Sequence, residues 1–357
     1  MSTAPTPVNR SRKVYIQTFG CQMNEYDSEK MLEHLRGQDY VPTDDPRQAD
    51  LILINTCAIR EKSEHKVYSR LGELDGLKRA RPHVVLGVGG CVAQQRGEEI
   101  LRRAPQVDLV FGTDNLFELP ELLREVAAGR RVAQTAWRGR KTRVENFIPA
   151  MAPDFGPEAA SASPVKAHLA IAKGCNNFCT FCVVPHTRGR EVSREPQNIL
   201  DEARALVQRG VLEITLLGQN VNSYRAHGTD FVDLLQRLND LPGLARIRYT
   251  SPHPKDFNAR LAQAHAELPK LCEHLHLPFQ SGSDRILKAM RRNHEIAAYL
   301  DKIALVRECV PRIALSTDII VGFPGETEED FQATLEVVRR VRFDHLYAFK
   351  FSPRTDT

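Results

Sequence analysis

With 357 residues, 42% of them apolar and 26% charged, the chain has the composition of a globular protein with room for two cores. No apolar run is long enough to span a bilayer, and the polar start MSTAPTPVNRSRK lacks the apolar stretch of a secretory leader, so a cytoplasmic protein with no membrane partner is expected. A net charge of +4 is too small to mark a nucleic-acid binder by itself, and eight cysteines in a reducing compartment read as ligands rather than disulfides.

Residues 1–12 read as a loose tail. The run RKVYIQTFG (Arg12–Gly20) is rich in β-formers, and a helical pattern with Met31, Leu32 and Leu35 on one face follows it. ADLILINTC (Ala49–Cys57) is continuously apolar, as a strand buried on both faces must be. A charged helix from about Arg60 to Lys78, the strands HVVLGVGGC (His83–Cys91) and VDLVFG (Val107–Gly112), and a helix from Leu116 to Ala128 complete the series. This alternation predicts an α/β domain with a parallel sheet over residues 13–136. Residues 137–164, with several Pro, many Ala and Ser and no sustained period, read as a linker. From residue 165 onward a second series begins, with strands in VKAHLAIAKG, LEITLLGQN, ARIRYTS, CEHLHLPF, IALSTDIIVGF and HLYAFKF. ILDEARALVQRG and EEDFQATLEVVRRV are among the helices between them. Six β/α units over residues 165–357 fit a partial barrel better than a closed eight-unit one.

The second series opens with GCNNFCTFCVVP, which places Cys175, Cys179 and Cys182 directly after its first strand, where such folds carry catalytic loops. The spacing C-x3-C-x2-C lets a tight loop wrap three thiolates around one face of an iron–sulfur cube and leaves the fourth iron open to a small molecule. It also fits a structural zinc site of Cys3His type, with His186 as the fourth ligand. Phe181, between the last two cysteines, puts an aromatic ring where an adenine could pack. In the first series Cys21, Cys57 and Cys91 each close a strand, in QTFGC, LINTC and GVGGC. The C-terminal strand ends of an open α/β sheet form one ligand-binding edge, so these thiols are expected to converge as a second three-thiolate set. Cys272 and Cys309 lack partners at ligand spacing and are assigned to the core.

A C-x3-C-x-φ-C loop after the first strand of a partial β/α barrel resembles the radical SAM superfamily, in which S-adenosylmethionine (SAM) chelates the open iron and is cleaved to a 5′-deoxyadenosyl radical. TFGCQMNEYDSE, NTCAIREKSEHKV, GCVAQQ and GCNNFCTFCVVPHTRGREVSR extend the likeness from about Lys13 to Thr357. Together they resemble the radical SAM methylthiotransferases, most closely the MiaB branch that modifies tRNA. The resemblance implies an N-terminal flavodoxin-like parallel-sheet domain with an auxiliary 4Fe–4S cluster on Cys21, Cys57 and Cys91. It implies a partial (β/α)6 barrel with a second 4Fe–4S cluster on Cys175, Cys179 and Cys182, and SAM. The implied reaction replaces a C–H of isopentenyl-adenosine, beside the anticodon of tRNA, with a methylthio group; one SAM gives the methyl and another the radical. Sister branches act on threonylcarbamoyl-adenosine or on an aspartate of a ribosomal protein, and a non-catalytic zinc protein that binds RNA is the reading outside the family.

By position in the motif, Gly218, Gln219 and Asn220 of LLGQNVNSY are implied at the SAM amino group, and Gly322, Phe323 and Pro324 of TDIIVGFPGETEEDF beside the adenine. The same GFPGE also reads as a turn before a helix capped by Thr327, with Asp330 three residues later. Arg188, Arg190 and Arg194 of PHTRGREVSR are expected to touch SAM or RNA phosphate. The implied partners are the anticodon stem–loop of tRNA and an electron donor such as flavodoxin, with the enzyme acting as a monomer. Family members usually continue into a small β-barrel RNA-binding module called TRAM, which is absent from these residues.

Overall fold

A computed structural model describes residues 11–58, 61–137 and 165–357. The expected linker over 138–164 and the tail before residue 11 lie outside the described residues. Two compact units divide the chain, residues 1–138 and 139–357.

The first unit is built on a six-stranded sheet of β1 (Arg12–Thr18), β2 (Tyr40–Pro42), β3 (Leu51–Thr56), β4 (Val85–Gly90), β5 (Leu109–Phe111) and β6 (Val132–Gln134). All neighbours are parallel, in the order β2-β1-β3-β4-β5-β6. That is the flavodoxin-like order with one strand added, and it reverses direction at β1. The helices are α1 (Gln22–Arg36), α2 (Glu61–Ala80), α3 (Cys91–Arg103) and α4 (Leu119–Ala127). Side chains of a strand alternate faces, so β3 supplies both cores. Ile52 and Ile54 pack with Val67 and Leu71 of α2 and Ile100 of α3, whereas Leu51 and Leu53 pack with Met31 and Leu35 of α1 and Leu119 of α4.

β1 starts at Arg12, one residue inside the segment read as tail. The edge strands β2 and β6 were not foreseen; three residues each, neither carries an apolar run. The helix expected over Leu116–Ala128 is a 3-10 turn at Leu116–Glu118 followed by α4. Pro120, in the first turn of α4, lacks an N–H but needs none there, which suits it to a helix start.

The second unit carries six principal strands: β7 (Lys166–Ala170), β8 (Glu213–Leu217), β9 (Arg246–Tyr249), β10 (His274–His276), β11 (Ala314–Val321) and β12 (His345–Lys350). They pair in parallel as β9-β8-β7 and β10-β11-β12, and a parallel bridge between Ile247 and Leu271 connects the two halves. The result is a partial barrel whose open edges are β7 and β12. Its principal helices are α5 (Pro196–Gln208), α6 (Phe231–Asn239), α7 (Ala259–Glu267), α8 (Asp284–Ala289), α9 (Ile296–Cys309) and α10 (Glu328–Val341). One core, including Leu169, Ile214, Ile247, Leu275 and Leu315, fills the space between strands and helices. Cys309 is half-buried against this core, and Cys272 is half-buried beside the Ile247 bridge rather than inside it. Thr327 and Asp330 form the expected capping box at the start of α10.

Candidate functional site

In the first unit, strand register delivers the cysteines to one sheet edge. Thr56 of β3 pairs with Gly90 of β4, so Cys57 and Cys91, the next residues of adjacent strands, leave the sheet side by side. On the other side of β3, the Phe19 N–H donates to the Asn55 carbonyl at 2.8 Å, continuing the β1 ladder toward Cys21. Gly20 then passes so close that a Cβ on it would stand 2.7 Å from the Cys57 Cβ, and its φ of +151° is one that glycine adopts without strain. Cys21 is the residue before α1; it is half-buried, while Cys57 and Cys91 are buried.

A buried polar network holds these strand ends. Asn24 Nδ2 donates to Asn55 Oδ1 at 3.0 Å and to the Thr56 carbonyl at 2.9 Å. Asn55 Nδ2 returns bonds to the Asn24 carbonyl at 2.8 Å and to Ser28 Oγ at 2.9 Å. Thr56 Oγ1 donates to the Gly89 carbonyl at 2.6 Å and accepts the Val92 and Ala93 N–H groups, which the first turn of α3 leaves without helical partners. The sequence reading missed Asn24, Asn55 and Thr56; the one available signal was a polar Asn-Thr pair ending an otherwise apolar strand.

In the second unit the cysteine loop follows β7 and is stitched at several points. Gly174 has φ +78° and lies against the Arg190 carbonyl, and the Cys175 N–H reaches the Gly189 carbonyl at 3.1 Å. Thr180 donates its N–H to the Met290 carbonyl and its Oγ1 to the Ala289 carbonyl, both at 3.1 Å. Two of the sulfurs receive an N–H: Asn177 N to Cys175 at 3.4 Å and Arg292 Nη1 to Cys179 at 3.7 Å. Desolvation pushes the Cys175 thiol up and the Cys182 thiol up to about 12; the N–H donors oppose this and the neighbouring sulfurs add to it.

Among the described residues, no three His, Cys, Asp or Glu side chains are arranged as a single metal ion requires, and His186 is exposed. The four-ligand zinc site is therefore not assembled. A cube sets a different requirement, because its three thiolates bind three separate irons, and N–H groups aimed at sulfur are the contacts that tune such clusters. Three clustered thiols, two of them with an N–H donor, fit that group.

Other expected residues gather around this loop. Gln219 Oε1 accepts the Gly174 N–H at 2.5 Å, tying the loop after β8 to the start of the cysteine loop. Asn220 is buried; its Nδ2 donates to Asp256 Oδ2 at 2.7 Å, and its Oδ1 has no hydrogen-bond partner. Gly218 is buried; a Cβ there would stand 3.2 Å from Val221 Cγ1 and in ordinary contact, at 3.5 Å, with Ala172. Phe181 and Phe323 join one small apolar cluster with Ile286, Met290 and Ile320. Gly322 and Pro324 are exposed, and the Gly322 N–H is taken by the Glu326 carboxylate.

The three arginines separate. Arg190 is exposed, with its guanidinium 4.2 Å from the centre of the Phe178 ring. Arg188 is buried. Arg194 is also buried and does not present its charge to a ligand: Nη1 meets Glu202 Oε2 at 2.5 Å, and the carbonyls of Ala170 and Asn198 take further N–H groups at 3.3 Å. The expectation of a phosphate contact from Arg194 is corrected on that ground, since Glu202 already matches its charge.

Sequence reasoning also missed Arg292, which is buried and donates from Nη2 to the Pro278 carbonyl at 2.8 Å. The rings of His253 and His294 stand edge to face, 5.9 Å apart. Burial, then the Arg292 charge, holds both imidazoles below their ordinary range, His294 at about 4 and His253 lower still. Asn222 secures His253 by two bonds, Nδ2 to the His253 carbonyl at 3.0 Å and His253 N to Oδ1 at 2.8 Å.

Residues 13–112 match the Uncharacterized protein family UPF0004, and residues 169–338 match the Radical SAM superfamily. The chain is 47% identical over 353 residues to the tRNA-2-methylthio-N(6)-dimethylallyladenosine synthase of Geobacter sulfurreducens, covering 98% of this chain and 77% of that one. The enzymes of the same name from Bdellovibrio bacteriovorus and Acidithiobacillus ferrooxidans are 49% and 50% identical, over 98% and 97% of this chain and 76% of each relative. In fold, the chain is similar to the radical S-adenosylmethionine methyltransferase TsrM from Kitasatospora setae, with a TM-score of 0.70 at 16% identity, over 96% of this chain and 75% of that one. Half-identity along nearly the whole chain, with both family matches in series, leads to one conclusion: the protein belongs to the radical SAM methylthiotransferases of the tRNA-2-methylthio-N(6)-dimethylallyladenosine synthase type.

Proposed function

We propose that this protein replaces a C–H on the adenine of isopentenyl-adenosine, beside the anticodon of tRNA, with a methylthio group. The observation that carries this reading is the 47–50% identity, over 97–98% of the chain, to enzymes named for that product. The target carbon is neither acidic nor nucleophilic enough for sulfur insertion by acid and base, so no side chain is assigned as a general acid or base. A bound 4Fe–4S cluster and SAM, which membership in the superfamily implies, supply a carbon radical that takes the hydrogen and a methyl group for the sulfur.

Cys175, Cys179 and Cys182 hold the cluster that works with SAM, and Cys21, Cys57 and Cys91 hold the auxiliary one. Residues 13–136 thus serve sulfur delivery and residues 165–357 radical generation. Gln219 fixes the entry of the cysteine loop, and the buried Asn220 Oδ1 offers an acceptor suited to an ammonium donor. Phe181 and Phe323 supply an apolar wall for an adenine ring, and Arg190 a surface cation for RNA phosphate. Electrons come singly from an external donor of the flavodoxin class.

The test is anaerobic reconstitution with iron, sulfide, SAM, a reductant and tRNA carrying isopentenyl-adenosine, followed by mass spectrometry of the digested nucleosides. The methylthio nucleoside is expected. A mark found instead on threonylcarbamoyl-adenosine, or on a ribosomal-protein aspartate, overturns the substrate. Colourless protein holding only zinc overturns the reaction class.

A further inference from the structure

Arg292 is a buried cation whose hydrogen bonds go to a carbonyl and a sulfur. Its Nη2 donates to the Pro278 carbonyl at 2.8 Å, its Nη1 to Cys179 Sγ at 3.7 Å, and its Nε has no hydrogen-bond partner. Among the described residues it forms no ion pair, although only 7% of it is exposed. By contrast, the equally buried Arg194 has Glu202. A guanidinium is always charged, and burying one without an anion is strongly unfavourable unless something bound nearby supplies negative charge.

The backbone is arranged to hold it there. Arg291 and Asn293, on either side, have φ of +56° and +51°, a left-handed conformation that costs energy for arginine and less for asparagine. Arg292 itself is anchored by its N–H to the Leu287 carbonyl at 2.9 Å, and the two Thr180 bonds clamp the same turn onto the cysteine loop. That turn holds one buried cation against a candidate ligand sulfur, where its charge acts on whatever that sulfur binds.

We propose that Arg292 is the built-in counter-cation of the cluster held by Cys175, Cys179 and Cys182, and that its N–H on the Cys179 sulfur raises the reduction potential of that cluster. This rests on the reading that those cysteines hold iron and sulfide. A cube on three thiolates is anionic, and its negative charge grows when one electron enters from an external one-electron reductant. A fixed buried cation stabilises the reduced form more than the oxidised form, in a medium that screens it little.

The experiment uses the full-length chain with Cys21, Cys57 and Cys91 changed to Ala, so that one cluster remains, reduced stepwise and followed by electron paramagnetic resonance. Arg292→Met is expected to disfavour reduction by about tenfold or more, a fall of about 59 mV for a one-electron couple. Arg292→Lys, which keeps the charge but not the fork, should recover part of that shift. The exposed Arg291→Met removes the same charge from the neighbouring residue and should leave the potential unchanged, because water screens it. An Arg292→Met potential equal to that of the parent overturns the proposal, as does an equal fall for Arg291→Met. If Arg292→Met fails to retain iron, Arg292→Gln, which keeps N–H donors but not the charge, decides: a fall in potential supports the proposal, and no fall overturns it. If the parent itself assembles no cluster on these cysteines, it is the underlying reading that fails.

Discussion

At the scale of single residues, the two cysteine triads make separable demands. On the proposed ligand assignment, Cys179→Ala removes a thiolate from the cluster that works with SAM and is expected to abolish SAM cleavage. Cys57→Ala spares that loop, so cleavage should persist without sulfur insertion, measured as 5′-deoxyadenosine released with no methylthio nucleoside formed. Cys57→Ala with full modification would remove the auxiliary site from the account. Asn55 is a different kind of residue, a fully buried amide that ligates nothing. Asn55→Ala removes the Asn55 bonds to the Asn24 amide, the Asn24 carbonyl and Ser28 Oγ, at a cost of about 1–3 kcal/mol. Denaturant unfolding should show that loss, and the protein should retain less iron while still cleaving SAM. The cysteines were readable because each ends its own strand and the loop spacing is local. Asn24 and Asn55 were not, because their bond spans 31 residues and exists only once β1 and β3 are paired.

At the scale of elements, the start of α10 shows how a local signal acquires a longer reach. Thr327 and Asp330 were visible as a capping box because the box needs only three residues of separation. The folded chain gives Asp330 further partners: Ser283 Oγ, the N-cap of α8, donates to it at 2.5 Å, and Arg285 pairs with it. These donors hold the Asp330 carboxyl well below the usual carboxylate range, Ser283 most strongly. One carboxylate thus joins the N-termini of two helices that flank the apolar cluster of Phe181 and Phe323. Thr327→Ala, which removes only the α10 cap, should cost about 1 kcal/mol. Asp330→Ala should lower the urea midpoint further, since it releases both helix ends, and equal midpoints for the two variants would show that the α8 connection carries nothing. Gly282 stands in the same joint, its N–H donating to Thr334 Oγ1 at 2.8 Å, and a Cβ there would meet the Thr334 Cα at 2.5 Å. Gly282→Ala is therefore expected to destabilise by about 1–3 kcal/mol, in proportion to how far α10 must move.

At the scale of the whole molecule, alternating apolar runs and helical periods were enough to give two α/β units, because a parallel strand buried on both faces cannot hide its composition. What the periods could not reveal was which charges end up inside. Arg194, Arg292 and His265 look like surface residues in the sequence and are buried in the fold. His265 has the plainest consequence for the second unit. Its Nε2 meets the Tyr249 hydroxyl at 2.6 Å, and burial lowers its pKa from 6.5 to about 4. The unfolded chain therefore binds a proton that the folded chain refuses between about pH 6.5 and pH 4, so stability is lost as pH falls through that window and is unaffected above it. One proton corresponds to a slope of at most about 1.4 kcal/mol per pH unit. His265→Gln keeps an amide to meet Tyr249 but cannot titrate. From pH 7 to pH 5 the variant should lose less stability than the parent, by up to about 2 kcal/mol, in denaturant unfolding at each pH. Parallel stability profiles for the two proteins would mean that His265 is charged in the fold and that the second unit owes its acid sensitivity to other groups.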